Sequence, residues 1–112
     1  MTTPIVDPPT FTMSVTETLG LPFDPTDLLA TGQTPVAATA SVTNLKSSVT
    51  TTPHASPVIS GTGTSTDPYR ITQPIDGATD LSGPGTYLLI VNFNASPSIN
   101  VWAMELRLVA TA

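Results

Sequence analysis

A chain of 112 residues, with 39% hydrophobic, 10% charged and 5% aromatic side chains, has room for one core and none for a second domain. Its Thr- and Ser-rich composition disfavours both a helical bundle and a highly charged disordered chain, while β-branched Thr and Val suit a pleated surface. The net charge of −5 arises from 8 acidic and 3 basic residues, and Lys46, Arg70 and Arg107 are too scattered to form a phosphate-neutralising stripe, so nucleic acid is not expected as a partner.

The chain has no cysteine, which removes disulfide frameworks and thiolate metal sites. Met1 to Thr10 lacks the charged start and apolar centre of a signal peptide, and no apolar run approaches a membrane span. These features predict a soluble small gene product, or equally an expressed fragment, with no membrane partner.

In chain order, Pro4, Pro8 and Pro9 block helix and favour extended backbone, so residues 1–9 read as an arm and 10–112 as the folded domain. Pro4, Ile5, Val6, Pro8 and Pro9 are the candidate partner-binding residues of that arm, with Ile5 and Val6 docking on a neighbouring subunit. Thr10 to Leu19 alternates Phe11, Met13 and Val15 against Thr and Ser, the period of a half-buried strand. Gly20, Pro22, Pro25, Gly32 and Pro35 then predict a loop, with one helical turn over Asp24 to Leu29 capped by Asp24, packing Leu28 and Leu29 over one end of the fold.

Val36 to Leu45 alternates again, placing Val36, Ala38, Ala40 and Val42 on one face. Such small inward residues suggest a bulky neighbour across from them, and Trp102 is the candidate. Short strands follow at 49–52, 57–60 and 69–73, the last ended by Pro74, with the polar Gly61 to Pro68 segment as a hairpin turn or exposed tip and Asp76-Gly77 as a turn.

Gly83 to Ala110 holds the longest apolar runs and reads as a hairpin of strands 86–94 and 99–110. Val36, Tyr87, Leu89, Val91, Trp102, Met104 and Leu106 are the predicted core residues. On the other face of the last strand Val101, Ala103, Glu105, Arg107 and Val109 read as a solvated face with a possible cross-strand charge pair. Seven to eight short strands punctuated by Pro and Gly predict an all-β, antiparallel sandwich.

No residue pattern points to catalysis, so the chain is not expected to be an enzyme, and no cofactor or metal is assigned. His54 lies between Pro53 and Ala55 in a loop and reads as solvated. Asp24 with Asp27, and Asp76 with Asp80, are spaced carboxylates, but they lack the alternation of a calcium loop and are better explained as cap and turn formers. Gly83-Pro84-Gly85 leads into a strand rather than a helix, so it is a turn and not a phosphate cradle.

Two motifs, Leu29-Gly32-Gln33-Thr34 entering an alternating strand and Pro84-Gly85-Thr86-Tyr87 opening the last hairpin, resemble the small immunoglobulin-like β-sandwich proteins encoded among the virion genes of tailed bacteriophages. The resemblance spans about Asp24 to Ala110. It implies an immunoglobulin-like sandwich in which Tyr87 packs at a corner between sheets. It further implies a non-enzymatic virion protein, made in the host cytoplasm and present as a homo-oligomer or in repeated copies in an assembly: a head decoration protein on the major capsid protein, or a neck or tail accessory protein. A carbohydrate-binding adhesion module is the alternative from another class, and it would require an exposed aromatic.

Overall fold

A computed structural model describes residues 9–97 and 100–112. In chain order the described residues form β1 (Thr10–Ser14), β2 (Thr18–Phe23), a single 3-10 turn (Thr26–Leu28), β3 (Thr34–Asn44), β4 (Thr50–Thr51), β5 (Val58–Ser60), β6 (Arg70–Asp76), the one-turn helix α1 (Gly77–Asp80), β7 (Gly85–Ser96) and β8 (Val101–Thr111). The protein is all-β. Its strands form two sheets, one in the order β1-β8-β7-β3-β4 and the other β2-β6-β5.

The β7–β8 hairpin supplies most of the core because its alternation is long and unbroken. Tyr87, Leu89, Val91, Phe93 and Ala95 are buried on β7, and Met104, Leu106, Leu108 and Ala110 on β8. The ladder pairs Tyr87 with Leu108, Leu89 with Leu106 and Val91 with Met104, so the apolar sets of both strands share one face. Leu21 and Phe23 of β2 and Ile71 and Ile75 of β6 cover that face from the second sheet. Each fully buried Leu, Ile or Phe contributes about 1.5–3 kcal/mol relative to exposure. The fully buried Gln73 donates through Nε2 to the carbonyls of Ala55 (2.8 Å) and Pro74 (2.7 Å), which ties the irregular 52–57 segment to β6.

The structure corrects the strand plan read from the sequence in several places. The single strand expected over residues 10–19 is two strands in different sheets. The chain turns at Val15–Glu17, where the Ser14 amide donates to Glu17 Oε1 (2.6 Å) and the Glu17 amide to the Ser14 carbonyl (3.1 Å). β2 then runs through Gly20 and Pro22, residues expected to belong to a loop. It is an edge strand, where a proline is tolerated because one side of the ladder is unpaired. Pro74 likewise does not end β6: β5 covers only Arg70 to Thr72, so Pro74 sits where β6 is paired on one side alone. The sandwich is also not wholly antiparallel, because β1 pairs with β8 in parallel.

Val36 is not a core residue; it is 38% exposed. Between Val36 and Thr39 the β3–β7 register slips, so that three steps on β3 oppose two on β7, and Ala37 takes a left-handed conformation at φ 54°. This bulge reverses the alternation. Val42 and Ala40 face inward, but before the bulge it is Pro35, paired with Ala95, that is buried. Trp102 also departs from expectation: it does not face Ala38 and Ala40 across the sandwich, because β3 and β8 flank β7 in the same sheet. The Trp102 ring is half-buried beside its ladder partner Phe93, which is fully buried and takes the central aromatic position.

Candidate functional site

The β2–β3 and β5–β6 connections meet at one end of the sandwich and enclose a cleft of about 560 Å³. Asp24, Thr26, Leu29, Thr31 and Gln33 line it from the first loop, and Gly63, Thr64, Ser65 and Tyr69 from the second. Each wall is shaped mainly by its own hydrogen bonds. Asp24 Oδ1 accepts from the Thr26 hydroxyl (2.5 Å) and amide (3.0 Å), holding the 3-10 turn, while the Ala30 amide donates to Gln33 Oε1 (2.8 Å). In the second loop the Thr62 and Gly63 amides donate to the Asp67 carbonyl at 3.1 and 2.9 Å, and the Asp67 amide donates to Thr64 Oγ1 (3.0 Å).

The Tyr69 ring is braced from behind by Gly63. A Cβ at position 63 would lie 2.5 Å from Tyr69 Cε2, and φ there is +84°, so the close approach and the backbone both require glycine. Two side-chain links join the walls: a 3.4 Å contact between the hydroxyls of Thr34 and Tyr69, and an exposed ion pair of Arg70 with Asp24 at 3.5 Å. The Thr26 hydroxyl, then its amide, hold the Asp24 carboxyl below its ordinary value, with Arg70 adding to the same direction. The cleft therefore keeps a charged acceptor beside a half-buried aromatic ring and several hydroxyls.

The opposite end is closed. The Tyr87 hydroxyl accepts from the Ser82 amide (3.0 Å) and donates to the Gly83 carbonyl (2.6 Å), pinning the connection that carries the chain from β6 in one sheet to β7 in the other. Asp76 caps α1, its carboxylate accepting from the Ala78 amide (3.2 Å) and the Thr79 hydroxyl (3.1 Å). His54 is an exposed loop residue, as expected, and is also paired. Its ring Nδ1 lies 2.7 Å from Asp80 Oδ2 and its amide donates to Asp80 Oδ1 (2.8 Å), while Oδ2 also accepts the Asp76 amide (2.8 Å). The Asp80 side chain is 2% exposed and the His54 side chain 38%. This Asp–His pair orients the ring and fastens the 52–57 segment to α1.

Of the expected core residues, Tyr87, Leu89, Val91, Met104 and Leu106 are buried, Trp102 is half-buried and Val36 is exposed. Of the expected arm residues, Pro4, Ile5, Val6 and Pro8 lie outside the described residues. Pro9 is described and exposed, and its carbonyl accepts the Arg107 amide (2.8 Å), which extends the β1–β8 edge by one residue. Leu28 and Leu29 pack against the core as the sequence suggested. Sequence reading did not join Asp24, Gln33, Ser65 and Tyr69 into one site, because they come from two loops whose meeting depends on the strand order. Among the described residues no group of three or more His, Cys, Asp or Glu side chains is placed to share a metal ion, and no helix is long and apolar enough to cross a membrane. Comparison with known proteins finds no matching family model, no matching curated protein and no matching solved structure.

Proposed function

We propose that the chain is an immunoglobulin-like sandwich serving as a non-enzymatic structural protein of a tailed-phage virion, seated on the major capsid protein as a head decoration protein. The strand order supports the finer fold. Lettered in chain order A, B, C, C′, D, E, F, G, the strands divide into B-E-D and A-G-F-C-C′, which apart from the placement of A and the lack of a C″ strand among the described residues is the variable-type partition. Tyr87 stands at the start of F and bonds back to the E–F corner, as the corner tyrosine of such domains does. Two features depart from the pattern: there is no cysteine pair, and the tryptophan lies on the last strand rather than on C.

The observation that carries the structural role is the anchoring of Pro9. The Arg107 amide holds the Pro9 carbonyl beside β8, so Pro9 stands at the β1 edge of the larger sheet, a place where an extended segment and a neighbouring surface can add to one another. Particles lacking the protein are expected to lose resistance to heat or low salt, and deletion of residues 1–8 to weaken attachment to capsids. Equal capsid binding by the shortened chain would refute the arm. Copy number per particle separates a head decoration protein from a neck or tail component.

A second reading, a carbohydrate-binding module, is favoured by Tyr69 in the loop-end cleft. It expects saccharide titration to perturb Tyr69 and its loop in NMR spectra while Trp102, outside the cleft, keeps its emission.

A further inference from the structure

The outer face of the five-stranded sheet, turned away from the core, is the surface that carries an inference. Its central strand β7 and the neighbouring β8 present Leu88 and Ile90 beside Arg107 and Glu105, with Val109 beyond Arg107 and Val101 beyond the Asn92–Ala103 pair; all of these are partly exposed except Ala103, which is buried. The flanking strands carry polar residues on this face, Thr12 on β1 and Ser41 and Thr43 on β3 among them. Two aliphatic side chains therefore sit beside an acid and a base and are bordered by hydroxyls, a mixed patch that offers both apolar area and charge to a partner.

The charges indicate the occupant. Glu105 and Arg107 are the two charged residues in this centre, two positions apart on β8, and neither has an ion-pair partner among the described residues. The cross-strand neighbour of Glu105 is Ile90 and that of Arg107 is Leu88, so the sequence expectation of a charge pair across the ladder is not met within one chain. A partner carrying one acid and one base at this spacing, in reverse order, would pair both. A second copy of this chain does so when its β8 runs antiparallel over the first.

We infer that two copies of the chain associate face to face through this sheet about a twofold axis passing over Leu106, so that Glu105 of each copy meets Arg107 of the other and Leu88 of each meets Ile90 of the other. The pairing is isologous: one axis satisfies both ion pairs and brings the apolar side chains together between them. Packed sheets stand about 10 Å apart, a gap that Leu, Ile and opposed Glu and Arg side chains span. The inference stands apart from the virion reading, because it concerns the purified chain in solution.

Sedimentation velocity and light scattering on the full chain, from micromolar to millimolar concentration, test it. The expected result is a concentration-dependent doubling of mass. E105R sets four arginines together and is expected to weaken association by roughly a hundredfold. The double reversal E105R/R107E restores the opposed charges and is expected to recover dimer strength to within roughly tenfold of the original. L88K, a second break that leaves both charges in place, is expected to give monomer with an unchanged melting curve, since position 88 faces away from the core. A chain that stays monomeric up to millimolar concentration overturns the inference. So does a dimer that survives E105R and L88K, or a double reversal that folds yet fails to dimerise.

Discussion

The two ends of the sandwich are built on different plans. At the end formed by α1 and the start of β7, side chains cross from one element to another: Tyr87 to the backbone of Ser82 and Gly83, Asp80 to His54, and the Asn44 amide to the Ser82 hydroxyl at 3.2 Å. Gly77 there lies so close to the β1–β2 turn that a Cβ would stand 2.6 Å from the Val15 carbonyl oxygen. At the cleft end the hydrogen bonds run mostly within each loop, and among the described residues the Thr34–Tyr69 and Arg70–Asp24 contacts join the two walls. One end locks the sheets together, which leaves the residues of the other end free of that task.

Breaking the locked end should therefore cost most. Tyr87→Ala removes a buried aromatic as well as the corner bonds and is expected to lower stability by about 3–5 kcal/mol. Tyr87→Phe, which only strands the Ser82 amide and Gly83 carbonyl, should cost about 1–3 kcal/mol. Urea unfolding midpoints at constant m-value measure both. Next comes Asp80→Ala, expected to cost about 1–3 kcal/mol because it leaves the amides of His54 and Asp76 without their acceptor. His54→Ala should cost less, since the ring is more than a third exposed. If Ser65→Ala or Thr31→Val at the cleft proved as damaging as Asp80→Ala, the contrast between the ends would collapse; both are expected within about 0.5 kcal/mol of the parent chain.

How much of this was legible in the sequence follows the same division. The hairpin from Gly83 to Ala110 could be read because long apolar alternation is a local signal. β2 could not, because Gly20 and Pro22 are tolerated by a property that only the sheet reveals, an unpaired edge. The phase reversal at Ala37 was hidden too: an alanine with positive φ leaves no mark in a run of small residues, so the alternation extrapolates smoothly to Val36 and is wrong there. His54 and Asp80 are 26 residues apart, and no local rule couples them. The cleft was invisible for the same reason, being a product of strand order and not of any motif.

Two smaller effects sharpen the picture. Ala37→Gly relieves a left-handed conformation that costs an L-residue roughly 1–2 kcal/mol, against a chain-entropy cost of about 0.5–1 kcal/mol, so a net gain below about 1 kcal/mol is expected in thermal unfolding. At the cleft, Asp24 has a lowered carboxyl pKa, so its contribution is complete above the unfolded value of 3.8 and is lost as pH falls through the lower folded value. NMR titration should place the Asp24 midpoint below 3.8, and Thr26→Val, which removes the hydroxyl donor, should move it back up. Global stability should barely register either change, because the carboxylate is exposed and solvent screens it.

The parallel pairing of β1 with β8 also dictates an order of events in making the molecule. The Met13 carbonyl is met by the Thr111 hydroxyl, 98 positions later. β1 must wait, unpaired, until β8 has left the ribosome. Closure of the larger sheet is thus a late step governed by a long loop, and the kinetics of folding should be those of a high-contact-order domain, slow relative to the formation of the β7–β8 hairpin on its own.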